Sequence, residues 1–445
     1  MKIQLPGNAK LLIDTLTRAG YEAYAVGGCV RDSILGRTPG DWDITTSASP
    51  QQVKEIFPRT VDTGIQHGTV TVLEGTEAFE VTTYRIDGEY EDGRHPKEVA
   101  FTSDLMEDLK RRDFTINAMA YNESEGLIDA FGGIADLKKR MIRCVGNPTD
   151  RFTEDALRMM RAVRFAAQLG FSIEEETKAA AAELAPNLAR ISAERIQVEL
   201  VKLLVSDHPE EIRTLYEIGL IKTFLPEFDE MMQTPQNNRY HCYNVGEHSI
   251  VALQNIAPDK VLRLTMLLHD VAKPVCKSMD QNGIYHFYRH PAKGAGMAKE
   301  ILRRLKFDNQ TINRVTALIA CHDQMPSLRE ASVRHAMHKI GLAQYPALFE
   351  VKRSDVMAKS EYGRKDRLEA ICAYERIYQD ILKKNQCLSL KDLAVNGNDV
   401  KQLGMGQGKQ VGAVLDRLLD HVLDHPEDNT REKLLNFIKT ELKPE

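Results

Sequence analysis

The spacing of apolar residues changes character along this chain. Leu11, Leu12, Leu16 and Ala19 recur at helical intervals and predict an amphipathic helix over residues 8–19. Tyr24-Ala25-Val26 and Asp43-Ile44-Thr45 then read as short strands, followed by a helix from about Pro50 to Ile56. Residues 67–72 and 78–83 alternate with period two and predict paired strands of the same sheet. Beyond Phe165 the pattern is helical, with helices predicted over 174–184 and 192–204. A polar linker is expected at 233–239, an apolar run covers 262–268, and long helices are expected up to about Lys384 and over 411–423. The fold class expected is a small α/β head (1–145) followed by a mostly helical neck (146–210), body (211–360) and tail (361–445).

Length supports several domains, because 445 residues exceed what one ordinary core accommodates. Seven scattered cysteines without C-x-x-C spacing point to reduced thiols and a cytoplasmic location. The absence of an 18-residue apolar stretch argues against a membrane partner. Net charge is −5, yet arginines gather after the head at 140, 143, 151, 158, 161, 164, 190 and 195. Beside a nucleotide site, such a stretch reads as a phosphate-facing edge rather than a merely solvated one.

Candidate chemistry starts at Gly27-Gly28, where the absence of side chains lets backbone N–H groups approach a phosphate, with Arg31-Asp32 directly after it. Asp41 and Asp43 lie two apart at the start of an extended segment, so both carboxylates share a face and repel unless a cation lies between them. A triphosphate cradle followed by two acids is a divalent-metal site for phosphoryl or nucleotidyl transfer. Glu80, on the neighbouring strand, is either a third catalytic carboxylate or a surface strand residue.

These motifs, with Thr82-Thr83-Tyr84-Arg85, the run Arg111-Arg112-Asp113-Phe114-Thr115-Ile116-Asn117-Ala118 and Glu154-Asp155-x-x-Arg158, resemble the nucleotidyltransferase superfamily, specifically class II CCA-adding tRNA nucleotidyltransferases and bacterial poly(A) polymerases. The resemblance covers about residues 20–200 and continues more weakly to the C-terminus. It implies Mg²⁺ at Asp41 and Asp43, CTP and ATP as substrates, and the tRNA 3′ end as partner. Arg112 is then expected near the triphosphate, Asp113 and Asn117 at the ribose, and Arg111, Arg161 and Arg164 among the nucleotide-binding residues. A loop of the form Asp87-Gly88-x-Tyr90-x-Asp92-x-Arg94 distinguishes, in that family, enzymes that add the terminal A from those that stop after CC. Here His95 stands where a second arginine is usual.

Asp155 and Arg158 are i and i+3 in a helix expected to begin after Thr153, a spacing compatible with a plain salt bridge. One acceptor beside one multiple donor also matches a base edge. Cytosine and adenine both offer an amino donor next to a ring-nitrogen acceptor, while uracil and guanine present the opposite polarity. The resemblance implies that this pair selects CTP and ATP without a template, with Glu154 as its organiser. The activity expected is CCA addition to tRNA with release of pyrophosphate; the alternative is a poly(A) polymerase or an enzyme that adds only A.

A second constellation comprises His248, His269-Asp270, His290, His322 and Asp355. Imidazole and carboxylate together suit a transition metal that activates water. The set resembles an HD phosphohydrolase domain, placed at 240–360, with His290 and His322 matching the additional ligands of two-metal members. It implies a phosphohydrolase centre, the alternative being a purely structural use of the fold; the ligand types favour Mn²⁺, Ni²⁺, Co²⁺ or Fe²⁺, and a two-metal arrangement would use Asp270 as a bridge.

Overall fold

A computed structural model describes residues 2–87, 99–405 and 407–442; positions 88–95 of the A-addition loop motif lie outside them. The chain divides into two compact units, Met1–Pro226 and Glu227–Glu445.

The first unit opens with helix α1, Gly7–Arg18, which buries Ala9, Leu12, Ile13 and Leu16. Leu11 was expected on that face but is 43 % exposed, because its position falls to the side of the 9-12-13-16 stripe. In order follow β1 (Ala23–Val26), α2 (Gly28–Ile34), β2 (Ile44–Thr46), α3 (Pro50–Ile56), β3 (Thr60–Gly64), β4 (Thr69–Glu74) and β5 (Glu77–Thr83). Helix α3 starts where sequence rules place it, with Ser49 and Gln52 in a capping box and proline at its first position. Strands β6 (Arg85–Asp87) and β7 (Val99–Phe101) form a separate antiparallel pair. Helix α4 (Leu105–Lys110) and strands β8 (Ala120–Asn122) and β9 (Gly126–Ile128) complete the head.

The seven-stranded sheet has the order β3-β4-β5-β2-β1-β8-β9. Strand β2 pairs antiparallel with β1 and parallel with β5. All four residues of β1 are buried, as befits a strand in the middle of the sheet. Tyr24, Val26, Tyr84, Leu105, Leu109 and Ala120 form a core cluster that fixes α4 against it.

Helices α5 (Gly133–Lys139), α6 (Pro148–Glu154), α7 (Leu157–Leu169), α8 (Glu175–Leu184) and α9 (Ala193–Leu204) follow. The helix expected to run through Asp155 and Arg158 is broken: Asp155 is extended, at φ −142° and ψ 103°, between α6 and α7. Its carboxylate accepts a hydrogen bond from Leu157 N at 3.0 Å, so it satisfies an otherwise orphan donor at the start of α7.

In the second unit, helices Val245–Gln254, Lys260–Leu268, His290–Arg304, Asn309–Cys321 and Tyr345–Met357 precede helices Arg364–Lys383, Lys409–Asp424 and Arg431–Glu441. A hairpin pairs Lys277–Met279 with Tyr285–Phe287. The expected linker at 233–239 is in fact partly packed, with Thr234 and Gln236 buried. Its polar side chains satisfy neighbouring groups instead of facing only water: Asn237 bonds Gly283 O at 2.6 Å and accepts from Tyr285 N at 2.8 Å. Among the described residues no helix is long and apolar enough to cross a membrane, and all seven cysteines are unpaired.

Candidate active site

Strand β1 ends at Gly27, whose φ of +82° is strained for any residue bearing a Cβ. A Cβ there would stand 3.2 Å from Arg112 Nη1, and one on Gly28 would stand 3.7 Å from Arg31 Nη2. Bare backbone thus faces two guanidiniums, a surface suited to a polyphosphate.

Asp41 and Asp43 lie just before β2 rather than within it. The Asp43 carbonyl nevertheless accepts a hydrogen bond from Val26 N at 3.0 Å, which ties this extended run to β1. Because Ile44 registers with Val81, Asp43 and Glu80 are neighbours across the parallel β2–β5 pair. Asp43 keeps solvent access, yet the protein crowded around it, then the Asp41 and Glu80 carboxylates, push its pKa up to about 6 against the opposing charge of Arg112. Three mutually repelling acids with oxygen donors fit a hard divalent ion such as Mg²⁺. They are not drawn together as tightly as the histidine set below: among the described residues, groups of three or more ligand atoms within 4.8 Å of one another occur at His248, His269 and Asp270 and at Asp270, His290 and His322.

Arg111 and Arg112 follow the end of α4. Their geometry comes from Asp108, a fully buried carboxylate that sequence reasoning missed. It accepts hydrogen bonds from Arg111 Nη2 at 2.7 Å, Arg112 Nη2 at 3.3 Å and Thr45 Oγ1 at 3.1 Å. An acid three and four residues before two arginines was its only sequence signal.

A linear network continues from the cradle. Arg31 grips Asp32 with two bonds of 2.8 and 2.9 Å and donates to Asn117 Oδ1 at 2.7 Å. Asn117 reaches Asp113 at 3.3 Å, and Asp113 accepts from Arg161 Nε at 2.8 Å. Burial opposes the Asp113 charge, but Arg161 outweighs it and holds the carboxyl down at about 2. Arg164 is buried, pairs with Glu199, and lies 3.8 Å above the Phe165 ring. It braces α7 against α9.

Asp155 and Arg158, the pair expected to select the base, meet through the backbone, where Arg158 N donates to the Asp155 carbonyl at 3.0 Å. Arg158 donates to Glu154 at 2.6 Å and to the Arg111 carbonyl at 3.0 Å. Asp155 instead receives Arg195 at 2.7 and 3.3 Å. The side chains have separate braces, Glu154 for Arg158 and Arg195 for Asp155. Arg195 lies 40 residues from its partner, beyond the reach of local spacing.

The second site is buried. His248 and His290 sit on helices, His269 and His322 at helix C-termini, and Asp355 on the helix Tyr345–Met357. Every imidazole presents Nδ1 to a backbone carbonyl: His248 to Ala358 at 3.2 Å, His269 to Met266 at 2.8 Å, His290 to Phe287 at 2.8 Å and His322 to Ile319 at 2.7 Å. A proton on Nδ1 leaves a lone pair on Nε2. Those Nε2 atoms converge, at 3.3 Å for His248–His269 and 3.3 Å for His290–His322. Facing lone pairs repel unless a cation or proton lies between them.

Asp270 stands between the two histidine pairs. Its Oδ2 is 3.2 Å from His269 and 3.6 Å from His248, while Oδ1 is 3.3 Å from His290 and 3.7 Å from His322. Oδ2 is buried, and Lys273 Nζ lies 2.7 Å away. That ammonium also donates to Gln236 at 2.8 Å, and a carboxylate set among imidazole lone pairs fits a metal ligand. Asp355 meets His248 at 3.0 Å and Lys359 at 2.6 Å. His241, which sequence reasoning left out, packs its ring 5.4 Å from that of His248. Burial lowers its pKa to about 2, so it is neutral at pH 7.

Three family models match the chain. Residues 23–143 match the poly A polymerase head domain, 170–232 the probable RNA- and SrmB-binding site of polymerase A, and 292–438 tRNA nucleotidyltransferase domain 2. The chain is 38 % identical to the CCA-adding enzyme of Levilactobacillus brevis, over 92 % of this chain and 91 % of that protein. It is 37 % identical to that of Lactiplantibacillus plantarum, over 98 % and 97 %. A Bacillus stearothermophilus CCA-adding enzyme solved in complex with CTP superimposes with a TM-score of 0.71 at 30 % identity, covering 98 % of both chains. With the glycine cradle, the acid pair and the braced Asp155 and Arg158 all in place, the chain belongs to the class II CCA-adding nucleotidyltransferase family.

Proposed function

We infer that this protein adds CCA to the 3′ end of tRNA from CTP and ATP, without a template, releasing pyrophosphate. The observation that carries this reading is the bare Gly27–Gly28 backbone set against Arg112 and Arg31, beside Asp41, Asp43 and Glu80. The primer 3′-oxygen forms a bond to the α-phosphorus while the bond to the bridging α,β-oxygen breaks. Asp41 and Asp43 would hold magnesium, which would supply charge neutralisation there and ease deprotonation of the hydroxyl. The chain's own groups do the positioning. Arg112 and the glycine N–H groups face the triphosphate, Asp113 and Asn117 orient the ribose, and Arg31 and Arg161 keep those two side chains in place. Asp155 and Arg158 read the base edge, held by Arg195 and Glu154.

Head 1–145, neck 146–210, body 211–360 and tail 361–445 are the working divisions, and seven free cysteines support a cytoplasmic setting. Incubation of tRNA lacking CCA with each nucleotide separately tests the activity. Incorporation of C, then A, is expected. Poly(A) synthesis without use of CTP would return the chain to the polymerase alternative.

The second site supports a further reading, a metal-dependent phosphohydrolase of HD type over residues 240–360. Four Nε2 lone pairs gathered around the Asp270 carboxylate favour it. His248, His269 and Asp355 would hold one ion, His290 and His322 another, and Asp270 both. Mixed nitrogen and oxygen ligands suit Mn²⁺, Ni²⁺, Co²⁺ or Fe²⁺ better than Mg²⁺. A metal-swept assay on cyclic nucleotides and simple phosphomonoesters, with metal analysis of wild type and His269→Ala, tests it. No stoichiometric metal and no hydrolysis would leave a structural domain.

A further inference from the structure

The histidine–aspartate cluster opens onto a cavity of about 320 Å³, near the small end of the range for small-molecule sites. One side of that cavity has nothing to do with metal ligation. It is the second strand of the hairpin, Tyr285–Phe287, with Tyr288 and Arg289 just after it. His286 and Tyr288 stack there, with ring centroids 5.3 Å apart and planes 8° from parallel, and Tyr288 is 71 % exposed. A solvent-facing aromatic of this size gains nothing for the fold.

The hairpin is also held in place. Asp280 bonds His286 at 2.9 Å, and Asn237 clips Gly283 and Tyr285 from the strap at 233–239. Next comes Arg289, a non-glycine residue at φ +60°, which lines the cavity. Such a backbone costs energy and persists where the surroundings demand it. Lys273 and Lys359 line the same cavity, each beside a carboxylate of the cluster. Divalent ions held by Asp270 and Asp355 would compete with these ammonium groups for the carboxylates and would leave them free to meet an anion.

We propose that this cavity is a nucleotide subsite: Lys273, Lys359 and Arg289 face a phosphate, and the His286–Tyr288 stack carries the base. The inference rests on the phosphohydrolase reading of the cluster and adds to it a recognition element for the substrate's leaving group. An aromatic face accepts any base, so no preference among bases is expected.

Calorimetric titration of the full-length, Mn²⁺-loaded protein with GMP and with ribose 5-phosphate tests the subsite. GMP is chosen because the polarity of guanine disfavours the first site. Wild type should bind GMP about 10-fold more tightly than ribose 5-phosphate, the effect of roughly 1.4 kcal/mol of stacking. Tyr288→Ala should erase that difference with metal content unchanged, and Tyr288→Trp should restore it. Removing so exposed a side chain leaves the fold intact, and the retained ribose 5-phosphate affinity checks this. Equal binding of the two ligands by metal-loaded wild type, or unchanged GMP binding by Tyr288→Ala, overturns the subsite and leaves the hydrolase reading standing. A wild type that takes up no stoichiometric metal overturns the hydrolase reading and the subsite with it.

Discussion

The two sites of this protein handle charge in opposite ways. In the first, the acids are accessible and crowd one another, and the arginines around them are poised by carboxylates such as Asp108, Asp113 and Glu199. In the second, the ligands are buried, and every imidazole is locked through Nδ1 to a backbone carbonyl. A site that exchanges nucleotide and pyrophosphate at each turnover benefits from solvent access and several adjustable contacts. One that retains its ions benefits from rigid donors whose tautomer is already set.

The largest effects should separate the two. Asp43→Ala is expected to lower nucleotide incorporation by roughly 1000-fold, the loss of about 4 kcal/mol of charge stabilisation, while hydrolysis and metal content at the second site persist. His269→Ala should do the reverse. Incorporation assays, metal analysis and phosphoester hydrolysis on both variants decide it, and cross-loss in either would break the contrast.

Rigidity of the second site can be probed through Lys352, whose ammonium meets the carbonyls of His322 at 2.8 Å, Gln324 at 2.5 Å and Cys321 at 3.4 Å. Lys352→Met should cost about 2 kcal/mol in denaturant unfolding and should weaken the ion held by His290 and His322 before the other. Unchanged metal stoichiometry and stability would show that His322 needs no such anchor.

In the first site a lost brace should alter selection more than turnover. Arg195→Met frees Asp155 and is expected to reduce discrimination against UTP and GTP by roughly 10-fold, within the 1 to 3 kcal/mol of a bidentate base contact. Kinetics with all four nucleotides measure this. Intact selection would assign Asp155 to capping α7 alone.

The smallest effect concerns pH. Since the folded pKa of Asp43 is raised to about 6, its ionised form costs stability. The penalty is complete above about pH 6 and disappears as pH falls towards the unfolded value near 4. Asp43→Asn should therefore raise stability at pH 7.5 by about 1 kcal/mol, a figure reduced for solvent screening, and by much less at pH 4.5. Thermal unfolding at the two pH values provides the check. An equal gain at both would mean that repulsion among the acids is not its source.

The sequence alone determined the alternation of strands in the head, the helical second half, both sets of candidate ligands and the family, since each depends on residue type and short-range spacing. Helix α3 with its capping box and β4 and β5 with their period of two were legible for that reason. Only the tertiary structure decided which charges meet. Asp155 was expected to face Arg158 but is claimed by Arg195, Asp108 emerged as the anchor of Arg111 and Arg112, and residues 233–239 became a strap that clips a hairpin. Such partners are selected by burial, where an unpaired charge or donor is costly. That cost acts through space between segments remote in the chain, and local patterns carry no record of it.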